Sequence, residues 1–199
     1  VVRSFGQFEA AMLKQAEDKK NELRIVMGAG IVLNLSAEMF ANFSTAYTSI
    51  LLSTKEEDNE AILRHVEEGE ADLGLIGTTP AYIQGFRSCL IKKSDLHVCL
   101  HIDHPLAKKE SLTFQDLKGV PMVGFGEKYD LHRYYVQKCH ENGFAPTFSI
   151  ITADVNISRN LVLENRSVSF AFPDYRKDSH TSVYKEKVLP LNLGEHDAW

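Results

Sequence analysis

The chain has 199 residues, 44% of them hydrophobic, 10% aromatic and 25% charged. That supports one substantial core or two modest ones of about 100 residues each, and excludes a disordered, collagen-like or rod-like chain. The net charge of -5 is the opposite of the basic face with which a domain grips DNA directly.

Residues 4–20 read as a helix: Phe5, Phe8, Met12 and Ala16 recur at spacings of three and four among polar neighbours. So narrow an apolar stripe wants a partner helix. Leu23-Arg24-Ile25-Val26-Met27 is a strand closed by Gly28-Ala29-Gly30. Residues 31–46 return to helix, with Leu35, Met39, Phe43 and Tyr47 on one row. Ile50–Ser53 is a short strand. Asp58 can cap a helix through residue 68, which Gly69 stops. Asp72–Ile76 is a third strand, apolar enough to be covered on both faces. This βαβαβ order predicts a parallel sheet flanked by helices.

A second unit repeats the logic. Strands are predicted at Leu96–Ile102, Pro121–Phe125, Phe148–Thr152, Val168–Phe172 and Val188–Leu191. Asp130 can cap a helix to about Asn142, with Leu131, Tyr134, Tyr135 and Cys139 on one face and Gly143 as terminator. Asp154 can cap a helix through Glu164. The Tyr134-Tyr135 pair divides between core and helix edge. The fold class is therefore α/β, with two Rossmann-like subdomains joined near residues 92–96 and a ligand cleft between them.

Ligands of such folds sit beyond the carboxyl ends of the strands. Those ends nominate Ala29, Gly30 and Ile31, then Thr54, Thr78 and Thr79, then Gly124, Phe125, Gly126 and Thr152. Thr54 and Thr78 carry hydroxyls able to donate to a ligand oxygen, whereas the Ala29-Gly30 turn offers main-chain N–H groups. Helix N-termini facing the cleft would add free amides, which suit an anionic ligand.

Other chemistries find little footing. Gly28-Ala29-Gly30 lacks the third glycine of a dinucleotide loop, since Leu33 stands there, and no GK[ST] follows. His101-Ile102-Asp103-His104 reads as a turn leaving a strand, because Pro105 breaks any helix that would align the histidines on a metal. No GxSxG nucleophile is present. Cys89, Cys99 and Cys139 are odd in number and contain no CxxC, which predicts reduced thiols with neither a disulfide framework nor a zinc site. No apolar run reaches the about 20 residues of a membrane span, and residues 1–24 lack the apolar stretch of a signal peptide. No catalytic residue, metal or cofactor is expected.

Five segments together carry a resemblance. Leu23-Arg24-Ile25-Val26-Met27-Gly28 resembles an opening "LRIG" strand, and Gly69-Glu70-Ala71-Asp72-Leu73-Gly74-Leu75 a "G-x-x-D-L-x-L" third strand. His104-Pro105-Leu106-Ala107 matches an HPLA turn. Leu112-Thr113-Phe114-Gln115-Asp116-Leu117 and Asn142-Gly143-Phe144-Ala145-Pro146 resemble the two segments that follow it. In this order they are similar to the effector-binding domain of LysR-type transcriptional regulators, over residues 5–199. The resemblance implies a type 2 periplasmic-binding-protein-like fold and a cytoplasmic homodimer or homotetramer that binds a small-molecule effector and no membrane. DNA would be met only through an N-terminal winged helix-turn-helix missing from this chain. On that reading residues 1–20 end a linker helix, 21–92 and 93–192 are the two regulatory subdomains, and 193–199 cross back toward the first, whose return elements are absent. The alternative is a free-standing solute-binding protein of the same fold. Two departures stand out. The first turn is Ala29-Gly30-Ile31-Val32, with no hydroxyl where the family often has one, and Asn165 to Pro173 lacks the family's glycines.

Overall fold

The structure, a computed structural model, describes residues 10, 12, 22–31, 37–78, 83–91, 93, 95–171 and 185–192. The chain divides into two units, Val1–Lys93 and Ser94–Trp199. The helix expected over residues 4–20 lies outside the described residues except at Ala10 and Met12. Met12 is fully buried in the first unit's own core, beside Leu23, Ile25 and Phe43, so at this position the stripe serves its own domain.

The spine of the first unit is β1 (Glu22–Gly28), flanked in parallel by β2 (Leu51–Glu57) and β3 (Leu73–Leu75). Leu23, Ile25 and Met27 alternate onto one face with Phe43 of α1 (Ala37–Ala46). Val26 turns to the other, with Ile62 of α2 (Asn59–Glu67) and Ala71. A strand covered on both sides must be apolar at nearly every position, which is why this run shows no alternation. Gly74 lets α2 lie against bare β3 backbone: a Cβ there would stand 2.8 Å from Ile62 Cγ2 and 3.1 Å from Val66 Cγ2. Asp72 ties β3 to β1. Its carboxylate accepts the Arg24 main-chain N–H at 2.8 Å and two guanidinium N–H groups at 3.3 Å. The Arg24 guanidinium is correspondingly held above its ordinary pKa, chiefly by that hydrogen bond. The same side chain reaches the Gly69 carbonyl at 2.6 Å, at the left-handed residue (φ 71) that ends α2.

The second unit contains β4 (His97–His101), two short 3-10 helices (Pro105–Lys108 and Phe114–Leu117), β5 (Pro121–Gly124), α3 (Asp130–Glu141), β6 (Thr147–Ile151), α4 (Val155–Leu163), β7 (Ser169–Ala171) and β8 (Glu186–Pro190). β5 pairs with β6 in parallel, and a parallel bridge at Met122 and Val168 joins β5 to β7. β4 lies between β7 and β8 and is antiparallel to both. The parallel order predicted for the first unit is present there; in the second unit β4 runs against both of its neighbours. Among the described residues of this unit, β5–α3–β6 and β6–α4–β7 carry the helical crossovers that parallel neighbours need, and β4 is followed by two 3-10 helices. The core gathers Leu96, Val98, Leu100, Leu117, Met122, Tyr135, Cys139, Phe170 and Leu189. Burial pushes the Cys139 thiol up to about 11. Among the described residues no helix is long and apolar enough to cross a membrane.

Candidate functional site

The carboxyl ends of the strands form a rim on each unit. In the first, β1 ends at Gly28, opposite Glu57 of β2. A Cβ at Gly28 would lie 3.1 Å from Ile31 Cδ1, and Gly30 is left-handed (φ 74). The two glycines thus let the chain double back tightly, leaving Ala29, Gly30 and Ile31 half-buried at the rim. Thr78 is also half-buried, three residues past the end of β3, and Thr79 lies outside the described residues.

Thr54 is placed differently from expectation. β2 continues through Lys55, Glu56 and Glu57, so Thr54 is an exposed mid-strand residue opposite Ile25. The polar residues that looked like the end of the strand are the outer positions of an edge strand, where charge is favoured. Glu57 holds the true end, paired with Lys55 and 3.8 Å from His65 Nε2.

Asn59 completes this rim and was not foreseen. It is 3% exposed, opens α2, and its Nδ2 donates to the Gly77 carbonyl at 3.2 Å. The end of β3 is thereby pinned to the first turn of a neighbouring helix, just before Thr78. The only signal in the sequence was an amide immediately after a capping aspartate.

In the second unit the turn after β5 is held from three sides. The Gly124 carbonyl accepts the Thr152 N–H at 2.8 Å, and the Gly126 carbonyl accepts the Tyr129 N–H at 3.0 Å. The Phe125 N–H donates to the Tyr135 hydroxyl at 2.9 Å. Phe125, Gly126 and Thr152 are half-buried, while Gly124 is buried. The amide of Phe125, a residue nominated for the site, is therefore already engaged inside the protein. The Thr152 hydroxyl accepts the Asp154 N–H at 3.0 Å and keeps its own proton to give. His97 stands on the same edge, opposite Ala171 and Pro190, because β4 runs backward; the strand's direction could not be read from its sequence. Its Nδ1 lies 3.1 Å from the Asp95 carbonyl, which fixes Nδ1 as the donor.

Free helix N-termini are scarcer than expected. Asp58 accepts the Ala61 N–H at 2.9 Å, and Asp154 accepts those of Asn156 and Ile157 at 2.8 and 3.2 Å. The chain's own carboxylates thus occupy the starts of α2 and α4, where an anionic ligand would have bound. Tyr129 gives α3 no side-chain cap. No group of three His, Cys, Asp or Glu residues able to hold a metal occurs among the described residues. In the His101 to His104 turn, His101 Nδ1 accepts the Asp103 N–H at 3.1 Å and His104 Nδ1 that of Leu106 at 3.2 Å. Burial, reinforced by His101, holds the His104 imidazole below its ordinary pKa. These histidines shape a turn.

Residues 16–182 match the family model described as the LysR substrate binding domain. The chain is 26% identical over 175 residues to the HTH-type transcriptional regulator YwbI of Bacillus subtilis strain 168, covering 88% of this chain and 57% of that protein. It thus spans little more than half the length of that curated relative. Among solved structures, the effector binding domain of QuiR in complex with shikimate superposes with a TM-score of 0.70 at 19% identity, covering 90% of this chain and 84% of that one. The CcmR regulatory domain of Synechocystis PCC6803 in complex with 2-PG gives 0.73 at 15% identity, covering 86% and 81%. At such identities these likenesses speak for the fold.

Proposed function

The chain belongs to the LysR substrate-binding domain family, and from that premise we propose that it senses a small-molecule effector on behalf of a transcriptional regulator. DNA binding resides elsewhere in the full polypeptide, and effector occupancy biases the arrangement of a homo-oligomer that positions the DNA-binding modules. The family match over residues 16–182 carries this reading. Support comes from the acidic net charge of -5 and from YwbI, an HTH-type transcriptional regulator. QuiR and CcmR domains bound to shikimate and 2-PG are precedents for a small organic effector. The regulator reading outranks a free-standing solute-binding protein on the family match. It places the protein in the cytoplasm.

In this reading the candidate effector contacts are Ala29, Gly30, Ile31 and Thr78 on the first unit and Gly126 and Thr152 on the second, with Thr79 nominated from the sequence and outside the described residues. Phe125 offers its ring; its amide is committed to Tyr135. Thr54 drops out of the site, because it does not end its strand. The test is calorimetry with a metabolite that raises the melting midpoint. Thr78→Val should weaken it by about 0.5–1.5 kcal/mol for a neutral partner and about 1.5–3 kcal/mol for a charged one, and Thr54→Val should leave it unchanged. Equal affinities in wild type and Thr78→Val, with a loss in Thr54→Val, would reverse the placement.

A further inference from the structure

Behind the turn of the second unit lies a buried polar pair that none of the effector contacts uses. Tyr135 is fully buried and His132 is 6% exposed, one turn apart on α3. Aromatic rings enclose them: Tyr135 stacks on Phe170 with centroids 4.4 Å apart, His132 stacks on Phe148 at 5.3 Å, and Phe148 meets Tyr135 edge-on at 6.0 Å. Two polar side chains inside an aromatic box are costly unless their hydrogen bonds are made. Here they are made in series. The Phe125 N–H donates to the Tyr135 oxygen at 2.9 Å, and that oxygen lies 2.7 Å from His132 Nδ1. The buried phenol proton has His132 Nδ1 as its one acceptor among the described residues, so the phenol donates to Nδ1, which selects the neutral Nε2–H tautomer of His132.

We propose that Tyr135 and His132 are the positioning pair of this effector rim, fixing the main chain at Phe125, and that the hold is released when His132 takes up a proton. The proton balance dictates the release. A proton on Nδ1 turns that atom from acceptor to donor. The Tyr135 oxygen would then face two N–H donors, and its own proton would have to turn toward the rings of Phe148 and Phe170, which offer no nitrogen or oxygen acceptor. The oxygen can hold both donors only by leaving its own buried proton without an acceptor, and the turn of the hydroxyl that relieves this gives up its bond to Phe125.

The groups that bear on the switch are few. Burial holds the His132 imidazole below its ordinary pKa; Glu127 favours its proton and Arg133 opposes it. Arg133 in turn donates to the Glu127 carbonyl at 2.9 Å and pairs with Asp130. From β6 the ring of Phe148 packs on His132, and β5 presents Gly124, which has no side chain. Burial likewise holds the Tyr135 phenol well above its ordinary pKa, so it stays protonated throughout. The pair is thus locked at neutral pH and opens on the acid side. The proposal rests on the effector reading for its purpose, but its test requires no effector. Its failure would leave that reading standing.

The experiment is NMR on the whole chain, following the ring nitrogens of His132 and the exchange protection of the Phe125 amide across pH. At neutral pH His132 should show a bare Nδ1 and a protonated Nε2. On acidification, protection at Phe125 should fall about tenfold with the same midpoint as the His132 ring. In Tyr135→Phe, which keeps the ring and its stack on Phe170, protection should be low already at neutral pH and no longer follow His132. A proton on Nδ1 at neutral pH would overturn the proposal. So would a Phe125 amide that ignores the His132 titration in wild type, a result independent of whether the variant folds.

Discussion

Replacing Gly124 with alanine tests the packing that fixes the second rim. A Cβ there would lie 2.8 and 2.9 Å from two ring carbons of Phe148 and 3.2 Å from the Tyr135 oxygen, whereas real Cβ contacts stay beyond about 3.4 Å in ordinary van der Waals packing. Phe148 is boxed by His132 and Tyr135, so it cannot simply swing aside. Overpacking of this kind costs about 1–3 kcal/mol, offset by about 0.4–1 kcal/mol from the stiffer unfolded chain. Mid-range values leave a net loss of about 1.3 kcal/mol, a fall of roughly 3–5 °C in midpoint for a chain of this length. Gly126→Ala is the control in the same turn, since its added Cβ meets nothing within 4 Å; it should change stability by at most about 0.5 kcal/mol. Adding Phe148→Leu to Gly124→Ala should recover part of the loss, a coupling of about 0.5–3 kcal/mol between neighbours. Thermal and urea unfolding of these three variants and of Phe148→Leu alone would report it. A Gly124→Ala protein as stable as wild type, or no coupling to Phe148, would refute the reasoning.

Asp154→Ala should cost about 1 kcal/mol of stability through the loss of the α4 cap, and Asp154→Asn much less, by chemical denaturation. His132 and His104 both sit below their ordinary value of 6.5. The unfolded chain therefore binds their protons first, and stability should be full above about pH 6.5 and fall below it. Asp116 lies below its usual 3.8, through its hydrogen bond to Lys109 and then the Thr113 amide, so a second fall should follow below that value; a melting midpoint that climbs as pH drops through 6.5 would contradict the sign. A thiol reagent should label exposed Cys89 quickly and buried Cys99 and Cys139 only on unfolding; three equal rates would count against the packing. Fluorescence anisotropy should find no sequence-selective DNA binding by this chain alone.

The segments that made the fold legible are staples of the chain, and local chemistry imprints them. Arg24 of the opening strand and Asp72 of the third-strand motif bond to each other. His104 of the HPLA turn caps the 3-10 helix that Pro105 opens. Thr113 and Asp116 close a capping box, and Gly143, left-handed at φ 78, ends α3. Each motif answers a need visible within a few residues or across one strand pair. The rims were only half legible. Gly28 to Ile31 and Gly124 to Gly126 follow from strand–turn grammar, but Asn59 matters because Gly77, eighteen positions on, comes to its amide. Tyr135 matters because Phe125 does. Such pairings are set by tertiary contact and leave no periodic trace. The reversed direction of β4, and with it the place of His97 on the rim, was hidden for the same reason. So was the continuation of β2 through three charged residues, which moved Thr54 away from the strand end.

The central claim is that this chain binds a small effector and leaves it chemically unchanged. A thermal-shift screen of metabolites tests this most directly, with each binder recovered and identified by mass spectrometry after incubation. A ligand at about 100 times its Kd should add about 2.7 kcal/mol to the folded state, roughly 5–11 °C in midpoint. The account predicts at least one such metabolite, saturable and recovered intact. A broad metabolite library that yields no binder, or a binder that returns converted to product, would contradict it.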